Sequence, residues 1–260
     1  LTGNPDIQAG FAPLVPGIDF ASYNDFSSID QMTSDYAAVI LEIVQGEGGV
    51  VPGDSHWLKA VSQKCHELGI LMIVDEVQTG IGRTGTKFAY EQFDVDPDIV
   101  TCAKALGNGL PIGAMLGKKK LASAFGPGSH GTTFGGNKIA LSSAKGVLQQ
   151  LTPDFLKIVQ VKSQVVFDAL EKALKPLSIV KDISGLGLMI GIHLTGNVKV
   201  GDVIADLQQQ GILTLSAEHN TLRLLPPLVM SEHDLLAGVN LIQNELQKQA
   251  DLAKSPIDQF

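Results

Sequence analysis

The sequence predicts an α/β protein, with a mostly parallel sheet in a large first domain and a smaller C-terminal α+β domain behind it. Three observations carry that expectation. Apolar, β-branched runs at 36–44, 70–74 and 99–103 have the composition of strands buried on both faces. A capped helical pattern separates the first two runs, which makes a βαβ unit with a right-handed crossover. Beyond Pro176 the strands shorten and alternate with helices, as in a compact α+β layer. The division is placed at 1–150 for the large domain and 151–260 for a linking helix and the small domain.

Each element follows from local chemistry. The first 35 residues are rich in Gly, Pro, Ser and Asp, lack periodicity and read as a connecting loop. Tyr36 to Val44 is nearly all apolar and reads as a strand. Asp54 is placed to cap a helix whose apolar positions are Trp57, Leu58, Val61 and Cys65, with Gly69 as its stop. Ile70–Val74 is the next strand and Ile99–Ala103 the third. Ile112–Leu116 is a fourth, and the link GNGLP is too short for a parallel crossover, so this pair is expected to be antiparallel. Asn137–Leu151 reads as a helix, broken at Pro153 and followed by a second from Asp154 to Leu174. The remainder reads as strands at 179–181, 188–193, 213–215 and 221–225, with helices at 200–210 and 231–249.

Composition narrows the function. Across 260 residues the hydrophobic fraction is 44%, and no apolar run is long enough to span a bilayer. A soluble, cytoplasmic protein is expected, without a membrane partner. The net charge of −8 argues against a nucleic-acid groove, and Lys118–Lys120 reads as the solvated start of a helix. Cys65 and Cys102 lie in apolar patterns without metal-ligand spacing, as buried free thiols do.

Two residues stand out. Asp75 and Lys104 each end an apolar strand, so neighbouring parallel strands would present both at one sheet rim, where α/β sheets bind ligands. An imine-forming lysine beside a carboxylate able to hold a pyridinium proton is the minimum equipment for pyridoxal phosphate chemistry. Asp75 with Glu76 could instead cap a turn, and Lys104 could be a surface lysine. The Gly-rich loop Leu106–Gly109 favours ligand approach. At the end of a buried strand, Lys104 is expected to be partly desolvated, which frees its amine as a nucleophile. Gln78 could bond a ring substituent. Glu47 follows the first strand at the same rim. Arg223 could fork onto a substrate carboxylate, or form an interdomain salt bridge with Glu47 as its partner. His130–Asn137 is a Gly-rich loop ahead of a helix, suited to an anion or to an ordinary capped turn. Gly80–Gly85 matches GxGxxG, yet no long periodic helix follows, which argues against a dinucleotide-dependent oxidoreductase.

Together QGEGGV (45–50), DEVQTGIGRTG (75–85), AKALGNGLPIGA (103–114), GTTFGGN (131–137) and LRLLPPLV (222–229) resemble the class III aminotransferases, pyridoxal-phosphate enzymes of fold type I. The resemblance covers the whole chain and implies pyridoxal 5'-phosphate as cofactor. It implies that Lys104 attaches the cofactor and shuttles the proton, that Asp75 holds the pyridinium nitrogen, and that Gln78 bonds the ring hydroxyl. Glu76 and Val77 fall in the same cofactor-binding run. Thr133 is implied to reach the cofactor of a neighbouring subunit in a homodimer, with Thr132 near the substrate. Glu47 and Arg223 resemble a pair that alternately masks and binds a carboxylate.

The implied reaction moves the δ-amino group of N-acetylornithine to 2-oxoglutarate. N-succinylornithine, N-succinyldiaminopimelate, ornithine and 4-aminobutyrate are alternative donors, and a non-catalytic relative is the other alternative. The family also carries a further N-terminal stretch that this sequence lacks. That stretch supplies a phosphate cup, a ring-stacking aromatic and a carboxylate-binding arginine. Weak cofactor retention and little activity are therefore expected of the chain as given.

Overall fold

A computed structural model describes residues 2–254; the outer ends of the expected divisions 1–150 and 151–260 lie outside the described residues. The N-terminal stretch is mostly irregular, with short helices α1 (Pro5–Gln8) and α2 (Ser27–Asp30). Strand β1 (Ala38–Glu42) is followed by a two-residue pair, β2 (Val44–Gln45) and β3 (Val51–Pro52). Helix α3 (Ser55–Leu68) begins as its sequence dictates. The Asp54 carboxylate accepts from the His56 and Trp57 N–H groups at 3.0 and 2.9 Å. Gly69, left-handed at φ +68°, ends it.

Strands β4 (Leu71–Asp75), β5 (Ile99–Cys102) and β6 (Ala114–Gly117) complete the first sheet, in the order β1-β4-β5-β6. The β1–β4 and β4–β5 pairs are parallel, and β6 is antiparallel to β5, as the short link requires. Helices α4 (Lys138–Gln150) and α5 (Pro153–Leu174) follow, with Asn137 and Thr152 as their caps and Pro153 in the first turn of α5. A second sheet is formed by β7 (Val180–Leu186), β8 (Met189–Leu194), β9 (Leu215–Ala217) and β10 (Thr221–Leu224), in the order β7-β8-β10-β9 and antiparallel throughout. Helix α6 (Val200–Gln209) precedes β9, and α7 (Glu232–Lys254) closes the described chain.

Each sheet has its own apolar cluster. Leu58, Met72 and Val74 belong to that of the first; Leu170, Ile190, Ile192 and Leu246 belong to that of the second. Among the described residues no helix is long and apolar enough to cross a membrane. Cys65 and Cys102 are free and buried.

Several expected boundaries shift. The strand expected at 36–44 begins at Ala38, because the exposed Tyr36 turns its hydroxyl to Asp19 at 2.7 Å. It is not buried on both faces: β1 is an edge strand, and Ile40 is exposed. The strand expected at 179–181 extends to Leu186, paired along its length with β8. The strand at 213–215 begins only at Leu215, and the fourth strand starts at Ala114 rather than Ile112. Lys119–Ala124 is a short 3-10 helix, with Lys118 and Lys120 paired to Asp96 and Asp98. After Gly85 comes only the four-residue 3-10 turn Ala89–Gln92, too short to present a dinucleotide-binding helix.

Candidate active site

Three parallel strands end side by side at one rim. Register sets Glu42 beside Asp75 and Asp75 beside Thr101. Lys104 comes three residues after Thr101, where the chain has left β5 and entered the one-turn 3-10 helix Lys104–Gly107. Its φ is +44°. That left-handed geometry costs a non-glycine residue about 1–2 kcal/mol, and such strain collects at functional sites.

The expected desolvation of Lys104 is not found. The backbone turns out of the sheet after Cys102, and the side chain is exposed. It borders a cavity of about 740 Å³ that is also lined by Val77, Gln78, Arg83, Asn108 and Phe155.

Charge ties the rim together. Burial pushes the Glu42 carboxyl above the ordinary carboxylate range. The Gly46 N–H, donating to Glu42 Oε2 at 3.0 Å, opposes that rise; Asp75 adds to it, Lys104 opposes it and Glu47 adds to it. Glu42 thus feels the carboxylate of Asp75 and the ammonium of Lys104 at once, so both lie in one electrostatic neighbourhood. Asp75 Oδ1 accepts from the Val77 N–H at 2.9 Å and the Thr101 hydroxyl at 3.2 Å. No hydrogen bond reaches Asp75 Oδ2 among the described residues.

A second group adjoins the first. Arg223 Nη1 donates to Glu47 Oε1 at 2.7 Å and lies 3.4 Å from Gln78 Oε1, while the Gln78 amide donates to Glu47 Oε1 at 3.1 Å. The hydrogen bond from Arg223 holds the Glu47 carboxyl below its ordinary range. The Arg223 side chain is only 7% exposed and that of Glu47 64%. Arg223 Nε is buried without a hydrogen-bond partner among the described residues. The salt bridge anticipated between these two residues is therefore present. Gly46 makes room for the arrangement: a Cβ there would lie 2.7 Å from the Gln78 amide.

Of the expected site residues, Val77, Gln78 and Lys104 line the cavity, while Asp75, Glu47, Arg223, Glu76, Thr132 and Thr133 are not part of its lining. The buried Glu76 carboxylate is committed to the Thr79 hydroxyl at 2.6 Å and to the N–H groups of Ala89 and Tyr90 at 3.0 and 2.9 Å. It braces the Gly80 loop. Thr132 and Thr133 are exposed on the loop ahead of α4, away from the cavity lining. Glu42 was not anticipated. The signal was the one that marks Asp75, a carboxylate ending an apolar strand, but only the β1–β4 register gives it meaning.

The family model for class III aminotransferases matches residues 1–246. The acetylornithine aminotransferase of Lactiplantibacillus plantarum is 58% identical over 246 residues, covering 95% of this chain and 63% of that protein. The acetylornithine aminotransferase of Bacillus cereus is 48% identical over 244 residues, covering 93% and 63%. Among solved structures, a Toxoplasma gondii ornithine aminotransferase with partial occupancy of pyridoxal phosphate at its active site superposes with a TM-score of 0.92. It is 29% identical, over 97% of this chain and 61% of that one. The N-acetylornithine aminotransferase of Stenotrophomonas maltophilia gives a TM-score of 0.79 at 34% identity, over 88% and 62%. The chain thus spans less than two thirds of the length of these relatives.

Proposed function

The chain belongs to the class III aminotransferases, and from that premise we propose that it carries the lysine-bearing part of a pyridoxal-phosphate-dependent transaminase. Its substrates are N-acetylornithine, as δ-amino donor, and 2-oxoglutarate. The observation that carries this reading is the shared rim. Strand ends in register present Asp75, and Lys104 opens the next turn beside the cavity, both felt by Glu42.

The residues present fit the cofactor. Asp75 has an uncommitted carboxylate oxygen for a protonated ring nitrogen, and Gln78 and Val77 line the cavity for the ring hydroxyl and ring face. When bound, pyridoxal phosphate supplies an electron-poor ring that draws negative charge from the substrate carbon. Lys104 provides the amine to which the cofactor attaches, and that amine moves the proton on and off the substrate carbon. Asp75 keeps the ring nitrogen charged. Its grip on the Val77 N–H and Thr101 hydroxyl fixes the direction in which it acts.

Arg223 and Glu47 serve the two half-reactions. While they are paired, the cation is masked and the cavity suits an uncharged acylated donor. When the exposed Glu47 swings out, the buried Arg223 offers its guanidinium to the distal carboxylate of 2-oxoglutarate. The same reading includes a large cofactor-binding domain at 1–150 and a small C-terminal domain at 151–260. It also includes a cytoplasmic homodimer in which Thr133 reaches the partner's cofactor.

The test is to incubate the chain with pyridoxal phosphate, reduce with borohydride and map the modified peptide. Label on Lys104, absent in Lys104→Ala, supports the reading. A folded chain without label would leave a non-catalytic relative. Turnover of N-acetylornithine against N-succinylornithine, ornithine and 4-aminobutyrate then ranks the donors.

A further inference from the structure

One face of the second sheet is polar where it meets the loop carrying Glu47. His193 pairs with Thr221 across β8 and β10, while Arg223 and Ser184 both pair with Gly191. With side chains alternating, these five residues share one side of the sheet. Gly49 and Val50 lie on it: a Cβ on Gly191 would meet Val50 Cβ at 2.8 Å and the Gly49 carbonyl oxygen at 3.2 Å.

The His193 ring is bonded at both nitrogens, with Nε2 2.7 Å from Ser184 Oγ and Nδ1 3.0 Å from Thr221 Oγ1. Ser184 Oγ is also 2.6 Å from the Val50 carbonyl oxygen. A carbonyl only accepts, so the serine hydrogen goes to Val50 and Ser184 Oγ accepts from His193 Nε2–H. Nδ1 is then the acceptor for the Thr221 hydroxyl. The relay has one direction: Thr221 to His193 to Ser184 to the Val50 carbonyl. At the other end of the loop, the Glu218 N–H donates to the Glu47 carbonyl at 2.8 Å. Burial holds the His193 imidazole below its ordinary range. Asp182 opposes this, while Lys181 and His219 add to it, so the neutral ring that the relay needs is the one favoured.

We propose that His193, as its neutral Nε2–H tautomer, is a positioning residue that clamps the Gly46–Val50 loop onto the second sheet and so sets the Glu47–Arg223 pair. Its bearing on substrate choice rests on the function proposed above; the clamp itself does not. Ser184 is the link that can be cut with least disturbance, since alanine removes one hydroxyl from a half-buried strand position.

Long-range 15N–1H spectra of histidine-labelled chain, assigned with His193→Gln, should show Nε2–H and a bare Nδ1. In Ser184→Ala, the Gly48–Val50 amides should exchange about tenfold faster, as expected for losing roughly one hydrogen bond. The Glu47 carboxyl should titrate closer to its ordinary range. His193→Gln, which leaves Ser184 in place and whose amide can donate to it, should keep slow exchange and the lowered Glu47 titration. A general loss of stability would not move the Glu47 titration by itself. An Nδ1–H tautomer, or an unmoved Glu47 titration in Ser184→Ala, overturns the clamp. Failure to label Lys104 would remove the proposed function and leave these readouts intact; labelling of Lys104 with an unmoved Glu47 would remove only the clamp.

Discussion

Replacing Gly46 with alanine separates the cost of folding from the cost of holding a ligand. The new Cβ would lie 2.7 Å from the Gln78 amide carbon, nitrogen and oxygen, so one of the two must move. Gly46 is not among the positive-φ glycines, and the amide is the free end of a flexible side chain, so Gln78 gives way. The folded state then loses the contacts of Gln78 with Glu47 and Arg223, at 3.1 and 3.4 Å. For half-exposed groups these contribute about 0.5–1.5 kcal/mol each. Alanine restricts the unfolded chain and returns about 0.4–1 kcal/mol. The net loss is about 1 kcal/mol, or about 2–4 °C in Tm for a chain of this size. Ligand binding suffers more. A hydrogen bond to a charged partner contributes about 1.5–3 kcal/mol, which weakens Kd for pyridoxal phosphate by about 10- to 150-fold. Urea unfolding and an absorbance titration with pyridoxal phosphate measure the two effects. A stability loss above about 3 kcal/mol would mean that backbone rather than Gln78 yields. An unchanged Kd would remove Gln78 from the cofactor's contacts.

Glu76→Gln should cost about 1–3 kcal/mol, because an amide nitrogen would face one of three donors that now point at the carboxylate. Burial raises the Glu76 carboxyl, so the folded chain holds that proton more tightly than the unfolded chain. Its stabilising contribution is complete at low pH and is lost as pH climbs from the ordinary carboxylate range through the raised value. The stability difference between wild type and Glu76→Gln should follow that slope in urea melts, and a pH-independent difference would refute it. Asp54→Ala, which removes the cap of α3, should lower stability by about 1 kcal/mol and leave Lys104 labelling unchanged. Lys104→Gly should be more stable than Lys104→Ala by about 1 kcal/mol, because only the glycine is relaxed at φ +44°. Equal melting temperatures would mean that the strain is illusory.

What the sequence made legible were features that act locally. The Asp54 cap, the Gly69 stop, the short antiparallel link before β6 and the break between helices at Pro153 each act within a few residues, and each is found, although α5 takes Pro153 as its first residue where Asp154 was expected. Asp75 and Lys104 were legible because strand ends carry their own signal. Features that depend on pairing were not. The β2–β3 pair is two residues long on each side, too short for any period. Glu42 gains its meaning from Asp75 across the sheet, and the His193 relay joins residues near 50, 184, 193 and 221. Exposure was misjudged at Lys104 and Ile40, because burial depends on neighbours that no local pattern names.

The first sheet ends in β1 on one side and β6 on the other, and every residue of β6 is exposed, Met115 and Leu116 among them. Rows of unpaired N–H and C=O groups flanked by apolar side chains are templates on which another strand can add. A net charge of −8 sets a mutual repulsion that opposes such pairing. Acidification toward the isoelectric point near 5.2, or high salt, weakens that repulsion and leaves the borders free to stack. Mildly alkaline, low-salt conditions should therefore lower the turbidity of this chain at a temperature where its circular dichroism is unchanged.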